Sequence, residues 1–111
     1  TLYVTSAPAL EEIGGAHEFV AGYEALAGQP PGPQAILAYD ATSVLLEALS
    51  RAIIAEGKPS RLAVTTQLAE IHFEGLTGPI AFDARGDRLE PVIYIHRVEA
   101  GNPYHPVNWS R

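Results

Sequence analysis

The sequence contains no cysteine, which excludes disulfide bonds, thiol catalysis and zinc sites built on cysteine. It also contains no methionine, not even at position 1. A natural translation product normally begins with methionine, so we expect a processed form or a piece of a longer protein. No run of apolar residues approaches the roughly 20 that a membrane-spanning helix needs. Any membrane connection is therefore expected through a partner or a missing anchor.

Basic residues are also few: 7 lysines and arginines stand against 13 acidic residues, for a net charge of -6. Because neutralising phosphates requires clustered lysine or arginine, we expect no nucleic-acid partner. The sequence lacks a phosphate-binding loop, a dinucleotide-binding glycine motif, a nucleophile elbow and a His-Glu-x-x-His zinc motif. These absences argue against an enzyme and predict no catalytic residues and no cofactor.

Metal binding is not expected either. The four histidines, at positions 17, 72, 96 and 105, are too scattered to form a local ligand set. Asp83 and Asp87 flank Gly86, but the alternating ligands of a calcium loop are missing, so a turn is the better interpretation. An enzyme that uses Asp40 and Asp83 as general acid and base stays open as an alternative, although neither residue belongs to a recognisable catalytic motif.

The feature around which the 111 residues are organised is a long apolar helix that Tyr39 and Asp40 open. Apolar residues from Ala41 to Ile53 recur at steps of three and four, which predicts one wide and largely buried face. Gly57 and the proline after it end the helix. Asp40 is either a capping carboxylate at the helix start or a ligand contact. Tyr39 is either a core tyrosine or part of a cleft.

The other elements place the chain in the α/β class. A buried strand is expected at residues 2–5, running into a loop at 6–8, and a helix from Ala16 to Gly28. Ser60 is predicted to cap a third helix over residues 61–72. Strands are predicted at 79–83 and at 92–98, the second either buried on both faces or at the centre of a sheet, with a turn at Gly86 between them. The tail, residues 101–106, is predicted to be a loop.

Several segments together resemble one protein family. They are Phe19 to Tyr23 with Gly28-Gln29-Pro30, Ala38-Tyr39-Asp40-Ala41, Gly57-Lys58-Pro59-Ser60-Arg61, Phe73-Glu74-Gly75-Leu76-Thr77-Gly78-Pro79-Ile80-Ala81-Phe82-Asp83-Ala84-Arg85-Gly86-Asp87-Arg88, and Ile93-Tyr94-Ile95. Their order and spacing resemble the type I periplasmic solute-binding proteins of the branched-chain amino acid (Leu/Ile/Val-binding) group of ABC transporters. The resemblance covers only the C-terminal third of such a protein.

The resemblance implies a fold of two Rossmann-like lobes, and this fragment would contribute segments to both lobes. Residues 1–30 would be a strand and helix of the C-terminal lobe, 34–90 a segment of the N-terminal lobe, and 91–111 the return strand and tail. Residues 30–33 would lie near a hinge. A fragment of this kind leaves apolar faces and strand edges uncovered, so we also expect it either to pack with copies of itself or to be part of a rearranged assembly.

The resemblance further implies binding rather than catalysis. The protein would capture a branched-chain amino acid or related small organic solute by closure of two lobes and deliver it to the permease subunits of an ABC importer. Tyr39, and with it Asp40, would contact the ligand. We expect a periplasmic or extracellular location, with possible anchoring to the membrane through a missing N-terminus. A sensor or receptor domain of the same fold is the alternative.

Overall fold

The computed structural model describes residues 2–5, 10, 13–32, 34–89, 94–99 and 102–107. Its helices are α1 (Ala16–Ala27), α2 (Ala35–Glu56) and α3 (Arg61–Glu70), and its strands are β1 (Leu2–Thr5), β2 (Phe73–Gly75), β3 (Gly78–Ile80), β4 (Tyr94–Glu99) and β5 (Asn102–Val107). The chain forms two compact units, one from Thr1–Ile36 with Pro91–Arg111 and the other from Leu37–Glu90. The mixture of helices and strands agrees with the predicted α/β class.

The first unit contains a three-stranded antiparallel sheet in the order β1-β4-β5. The central position predicted for the strand at 92–98 is confirmed for β4, whereas residues 91–93 lie outside the described residues, as does the loop expected at 6–8. The prediction of a loop in the tail is wrong, because Asn102–Val107 forms β5. The prolines that suggested a loop are tolerated there because β5 lies at the edge of the described sheet.

Strand β1 is present as predicted, but its predicted burial is wrong for two residues. Leu2 is 59% exposed and Val4 is 65% exposed. Because residues two apart in a strand point to the same side, these side chains share one face of the sheet. The part of that face formed by β1 is therefore apolar and open to solvent.

Helix α1 begins at Ala16, directly after two glycines that disfavour helix formation. It ends, as predicted, at Gly28, which has a left-handed conformation. Gly28 has φ 74°, and its N–H donates to the carbonyl of Glu24 over 2.9 Å. The rings of Phe19 and Tyr23 lie with their centroids 6.0 Å apart. This one-turn spacing is what places both rings on the same face of the helix.

In the second unit, α2 begins earlier than predicted. It starts at Ala35 rather than at Tyr39, because the intervening residues contain no glycine or proline that would prevent helix formation. Its end is as predicted, with Gly57 at φ 75°. Asp40 therefore lies inside the helix, and the interpretation of its carboxylate as a cap of the helix start is wrong.

One stripe of α2 is buried and a neighbouring one is not. Val44 and Ala48 form the core of this unit with Ile71 and Ile80, and Ala52 is buried as well. The prediction that the apolar face is largely buried is wrong for Leu45, which is 51% exposed, and for Ile53, which is 41% exposed. Leu46 and Ile54, which lie outside the predicted face, are 59% and 82% exposed. The residues that pack inside the unit are mainly the small ones.

Helix α3 has the predicted cap, since the Ser60 hydroxyl accepts from the N–H of Ala63 over 3.0 Å. The helix ends at Glu70 rather than at residue 72. After it, β2 and β3 form an antiparallel hairpin in which Gly75 is opposite Gly78. Only β3 overlaps a predicted strand, and β2 was not predicted. The predicted turn is confirmed, with Gly86 at φ 86°.

Candidate functional site

Tyr39 and Asp40 are consecutive residues of α2, so their side chains leave the helix about 100° apart. The structure gives them opposite environments: Asp40 is 2% exposed, whereas Tyr39 is 50% exposed. The Tyr39 carbonyl accepts a hydrogen bond from the Ser43 hydroxyl one turn later, over 3.0 Å. An aromatic ring with half of its surface accessible can meet a small molecule, and a buried carboxylate must find its partners inside the protein.

Asp40 finds those partners in the two-residue turn of the β2–β3 hairpin. Its Oδ1 accepts from the N–H of Leu76 over 2.9 Å. Its Oδ2 accepts from the N–H of Thr77 over 2.8 Å and from the Thr77 hydroxyl over 2.5 Å. Successive backbone N–H groups form a concave anion site, and hydrogen bonds to a charged acceptor are stronger than neutral ones. The carboxylate thus fastens α2 to a turn that lies far away in sequence.

Two glycines make this close approach possible. A Cβ atom at Gly75 would lie 2.6 Å from Oδ2 of Asp40 and 2.8 Å from a methyl carbon of Ile80, which is closer than real Cβ contacts. Gly78 has φ 109°, a conformation that residues with a side chain rarely adopt. Position 75 requires glycine because no space is left for a Cβ atom, and position 78 requires it because of the positive φ angle.

Arg88 also contacts the hairpin, through the same threonine that binds Asp40. Its Nη2 donates to the Thr77 hydroxyl oxygen over 3.1 Å and to the carbonyl of Pro79 over 3.3 Å. The Thr77 hydroxyl therefore donates its proton to Asp40 and accepts from Arg88. We name this series of hydrogen bonds the Asp40–Thr77–Arg88 chain.

The remaining carboxylate of interest, Asp83, lies in an exposed turn. Its Oδ1 accepts from the N–H groups of Arg85 and Asp87 over 2.8 and 3.0 Å. This is the hydrogen bonding of an Asx turn, as the turn interpretation predicted. Within the part of the chain that the structure describes, no group of three or more histidine, cysteine or acidic residues could hold a metal ion.

Sequence reasoning selected Tyr39 and Asp40 but missed Thr77 and Arg88. The spacing that could have revealed the hairpin is Gly75 and Gly78 with two residues between them, which is typical of a tight turn. A threonine in such a turn, with exposed backbone N–H groups beside it, is a natural partner for a buried carboxylate. Nothing local in the sequence indicates that this carboxylate comes from Asp40.

The described helices include none that is long and apolar enough to cross a membrane. A comparison of the sequence with curated proteins found no match. A family model described as periplasmic binding protein matches residues 1–103.

Solved structures of solute-binding proteins are similar to this chain. A leucine-binding protein, LivK, from Thermotoga maritima has 27% identity and a TM-score of 0.71. A solute-binding protein of an ABC transporter from Rhodopseudomonas palustris, solved with 3,4-dihydroxybenzoic acid, has 26% identity and a TM-score of 0.74. LivJ from Streptococcus pneumoniae, solved with isoleucine, has 24% identity and a TM-score of 0.73, and supports the fold alone.

Each of these comparisons covers 96% of this chain but only 30% of the solved chain. The 111 residues therefore correspond to less than a third of the length of the structures they match. The family model, in contrast, extends over nearly all of the 111 residues. The chain belongs to the family of periplasmic binding proteins, which bind solutes and are not enzymes.

Proposed function

We propose that this chain is part of the extracytoplasmic solute-binding component of an ABC importer, which binds a branched-chain amino acid or a related small organic solute. The observation that carries the proposal is the family match over residues 1–103. Two of the similar solved proteins are a leucine-binding protein and a solute-binding protein in complex with 3,4-dihydroxybenzoic acid, and both compounds are small organic acids with an apolar or aromatic body. Delivery to permease subunits belongs to the same proposal.

The mechanism that we propose is closure of two lobes around the ligand. Residues 1–30 would belong to the C-terminal lobe, 34–90 to the N-terminal lobe, and 91–111 would lead back. The division into compact units supports this assignment, because the first unit joins the beginning and the end of the chain while the second contains its middle. A ligand that contacts both lobes favours the closed state over the open one and so shifts the equilibrium between them.

Within this mechanism Tyr39 is the proposed ligand contact. Tyr39 is half exposed, and an aromatic side chain is of the kind that lines small-molecule sites. Asp40 was predicted as a contact together with Tyr39. Its burial and its three hydrogen bonds to the hairpin favour an indirect role, and its direct contact with the ligand stays a prediction.

Calorimetry on the longest natural form of the protein that contains this chain tests the proposal, with L-leucine, L-isoleucine and 3,4-dihydroxybenzoate as probes. We expect at least one probe to bind, Tyr39→Ala to weaken its binding by tenfold or more, and Tyr39→Phe to retain most of it because the ring remains. Ser50→Ala, at an exposed position of the same helix, is the control and should leave affinity unchanged.

The absence of heat with all three probes would argue against the ligand class. Binding that is unchanged in Tyr39→Ala would remove Tyr39 from the site while leaving the class intact. Cell fractionation of the host tests the location, which the family indicates to be outside the cytoplasmic membrane. Recovery of the protein in the membrane fraction would support the proposed anchoring.

A further inference from the structure

We propose that Thr77 and Arg88 are positioning residues of the ligand site: through Asp40 they fix the rotation of α2 about its own axis and thereby the direction of Tyr39. This inference rests on the proposed function, because it gives Tyr39 the role of ligand contact. The four residues all lie in the second compact unit. Tyr39 and Asp40 share a peptide bond, so whatever holds the Asp40 carboxylate also orients the residue before it.

Within this unit, the apolar packing of α2 is less directional than its hydrogen bonding. The stripe buried in this unit consists of Val44, Ala48 and Ala52, which are small and follow one another at intervals of four residues. The larger buried side chains of this core, Ile71 and Ile80, come from outside the helix. Dispersion and apolar burial are also non-directional, so a small rotation changes their energy little.

The hydrogen bonds of Asp40 are directional in the way that the packing is not. They weaken steeply when the donor angle or the distance departs from the optimum, and here three of them converge on one carboxylate. A helix with its side chains is about 10–12 Å in diameter, so a rotation of about 10° moves a peripheral side chain by about 1 Å. An error of that size in a binding group is enough to weaken recognition.

Thr77 is the residue on which this arrangement depends. Its hydroxyl has one proton, which it donates to Oδ2 of Asp40, and its oxygen lone pairs can then accept from Arg88. Arg88 in turn holds the carbonyl of Pro79 and so ties the turn to β3. In this series the guanidinium donates to the hydroxyl, and the hydroxyl donates to the carboxylate. Serine preserves the series, whereas valine, of the same shape as threonine, interrupts it.

The test uses NMR on the longest natural form of the protein that contains this chain and needs no ligand. Two readouts are compared in wild type, Thr77→Val and Thr77→Ser: the hydrogen exchange of the Leu76 and Thr77 amides, and the ring signals of Tyr39, assigned with Tyr39→Phe. We expect Thr77→Val to accelerate exchange of these amides at least tenfold and to shift the Tyr39 ring signals. Thr77→Ser should restore both.

The inference is overturned if Thr77→Val accelerates amide exchange while the Tyr39 ring signals coincide with those of wild type, because the hairpin would then be held without orienting the ring. Should Thr77→Val fail to fold, Arg88→Gln takes its place, since Arg88 is only partly buried, and the same two readouts decide. Shifted ring signals in Arg88→Gln support the inference, and unchanged ones overturn it.

Calorimetry separates this inference from the proposed function. With a probe that binds, Thr77→Val should weaken affinity about tenfold and Thr77→Ser less than twofold. If Tyr39→Ala weakens binding but Thr77→Val neither shifts the ring signals nor lowers affinity, the positioning role fails and the proposed function stands. If the ring signals shift but none of L-leucine, L-isoleucine and 3,4-dihydroxybenzoate binds, the proposed ligand class fails. The orientation of Tyr39 by the Asp40–Thr77–Arg88 chain is then still supported.

Discussion

Replacing Asp40 by asparagine should destabilise the second compact unit by about 2–3 kcal/mol, although the side chain keeps its shape. The carboxylate presents two acceptor oxygens to three donors, whereas an amide presents one oxygen and a donor of its own. The amide nitrogen would face either the N–H of Leu76 or the two donors of Thr77. At least one hydrogen bond is therefore lost and one buried donor is left without an acceptor.

The magnitude follows from the environment of the site. A hydrogen bond to a charged group contributes about 1.5–3 kcal/mol, so three independent bonds would sum to about 4.5–9 kcal/mol. The three share one acceptor group, and such contributions do not add fully. Leu76 and Thr77 are also only partly buried, so water replaces some of the lost bonding. These two reductions, and the bond that asparagine retains, lower the expected loss to about 2–3 kcal/mol.

The assay is thermal and urea unfolding of the 111-residue chain followed by far-UV circular dichroism. At about 4–8 °C per kcal/mol for a small domain, Asp40→Asn should lower the unfolding midpoint by about 10–15 °C. Asp83→Asn is a matched control, since a single oxygen of Asp83 accepts from two turn N–H groups and an amide oxygen can do the same. Its effect should stay within about 0.5 kcal/mol.

Two results would refute the reasoning. A midpoint for Asp40→Asn within about 2 °C of wild type would mean that the buried carboxylate contributes little beyond what an amide provides. Equal losses in Asp40→Asn and Asp83→Asn would assign the effect to the change in net charge rather than to the hairpin contact. Hydrogen exchange localises the loss, which we expect at the Leu76 and Thr77 amides first.

Three further predictions concern other features of the chain. Gly75→Ala should destabilise by about 2 kcal/mol or more in urea unfolding, because its Cβ would lie 2.6 Å from Oδ2 of Asp40, and an effect below about 0.5 kcal/mol would contradict this geometry. Ser60→Ala should cost about 1 kcal/mol in the same assay through loss of the cap of α3, and Ser60→Asp should restore most of it. Sedimentation should show that the chain self-associates at micromolar concentration, because the apolar side chains of Leu46 and Ile54 are exposed. The double variant Leu46→Glu with Ile54→Lys should abolish this association. A monomeric wild type would contradict the role of these two residues.

The helices were predictable because their limits are encoded locally. Glycines at 28 and 57 take the left-handed conformation that ends a helix, and Ser60 caps the next one. These residues act within one turn of where they occur, so the sequence alone locates them. The predicted start of α2, at Tyr39, is four residues late, because the effect of the preceding prolines ends sooner than expected.

The strands were harder to predict because pairing depends on distant residues. β2 has only three residues and includes a glycine, so its strand character comes from pairing with β3 rather than from its own composition. β5 contains two prolines and becomes a strand only beside β4. The role of Asp40 was missed for the same reason, since its partners lie 36 and 37 positions later in the chain.

The two sides of α2 differ in the interactions that they offer. Toward its own unit the helix presents small residues and one carboxylate, so the apolar area buried there is modest and directional hydrogen bonding decides the orientation. The larger residues Leu45, Leu46, Ile53 and Ile54 are 41–82% exposed, and full burial of such a side chain from a fully exposed state contributes about 1.5–3 kcal/mol. Most of the apolar stabilisation available to α2 thus lies outside the contacts that orient Tyr39. A partner surface that covers the larger residues can then add stability to the helix without competing for the Asp40–Thr77–Arg88 chain.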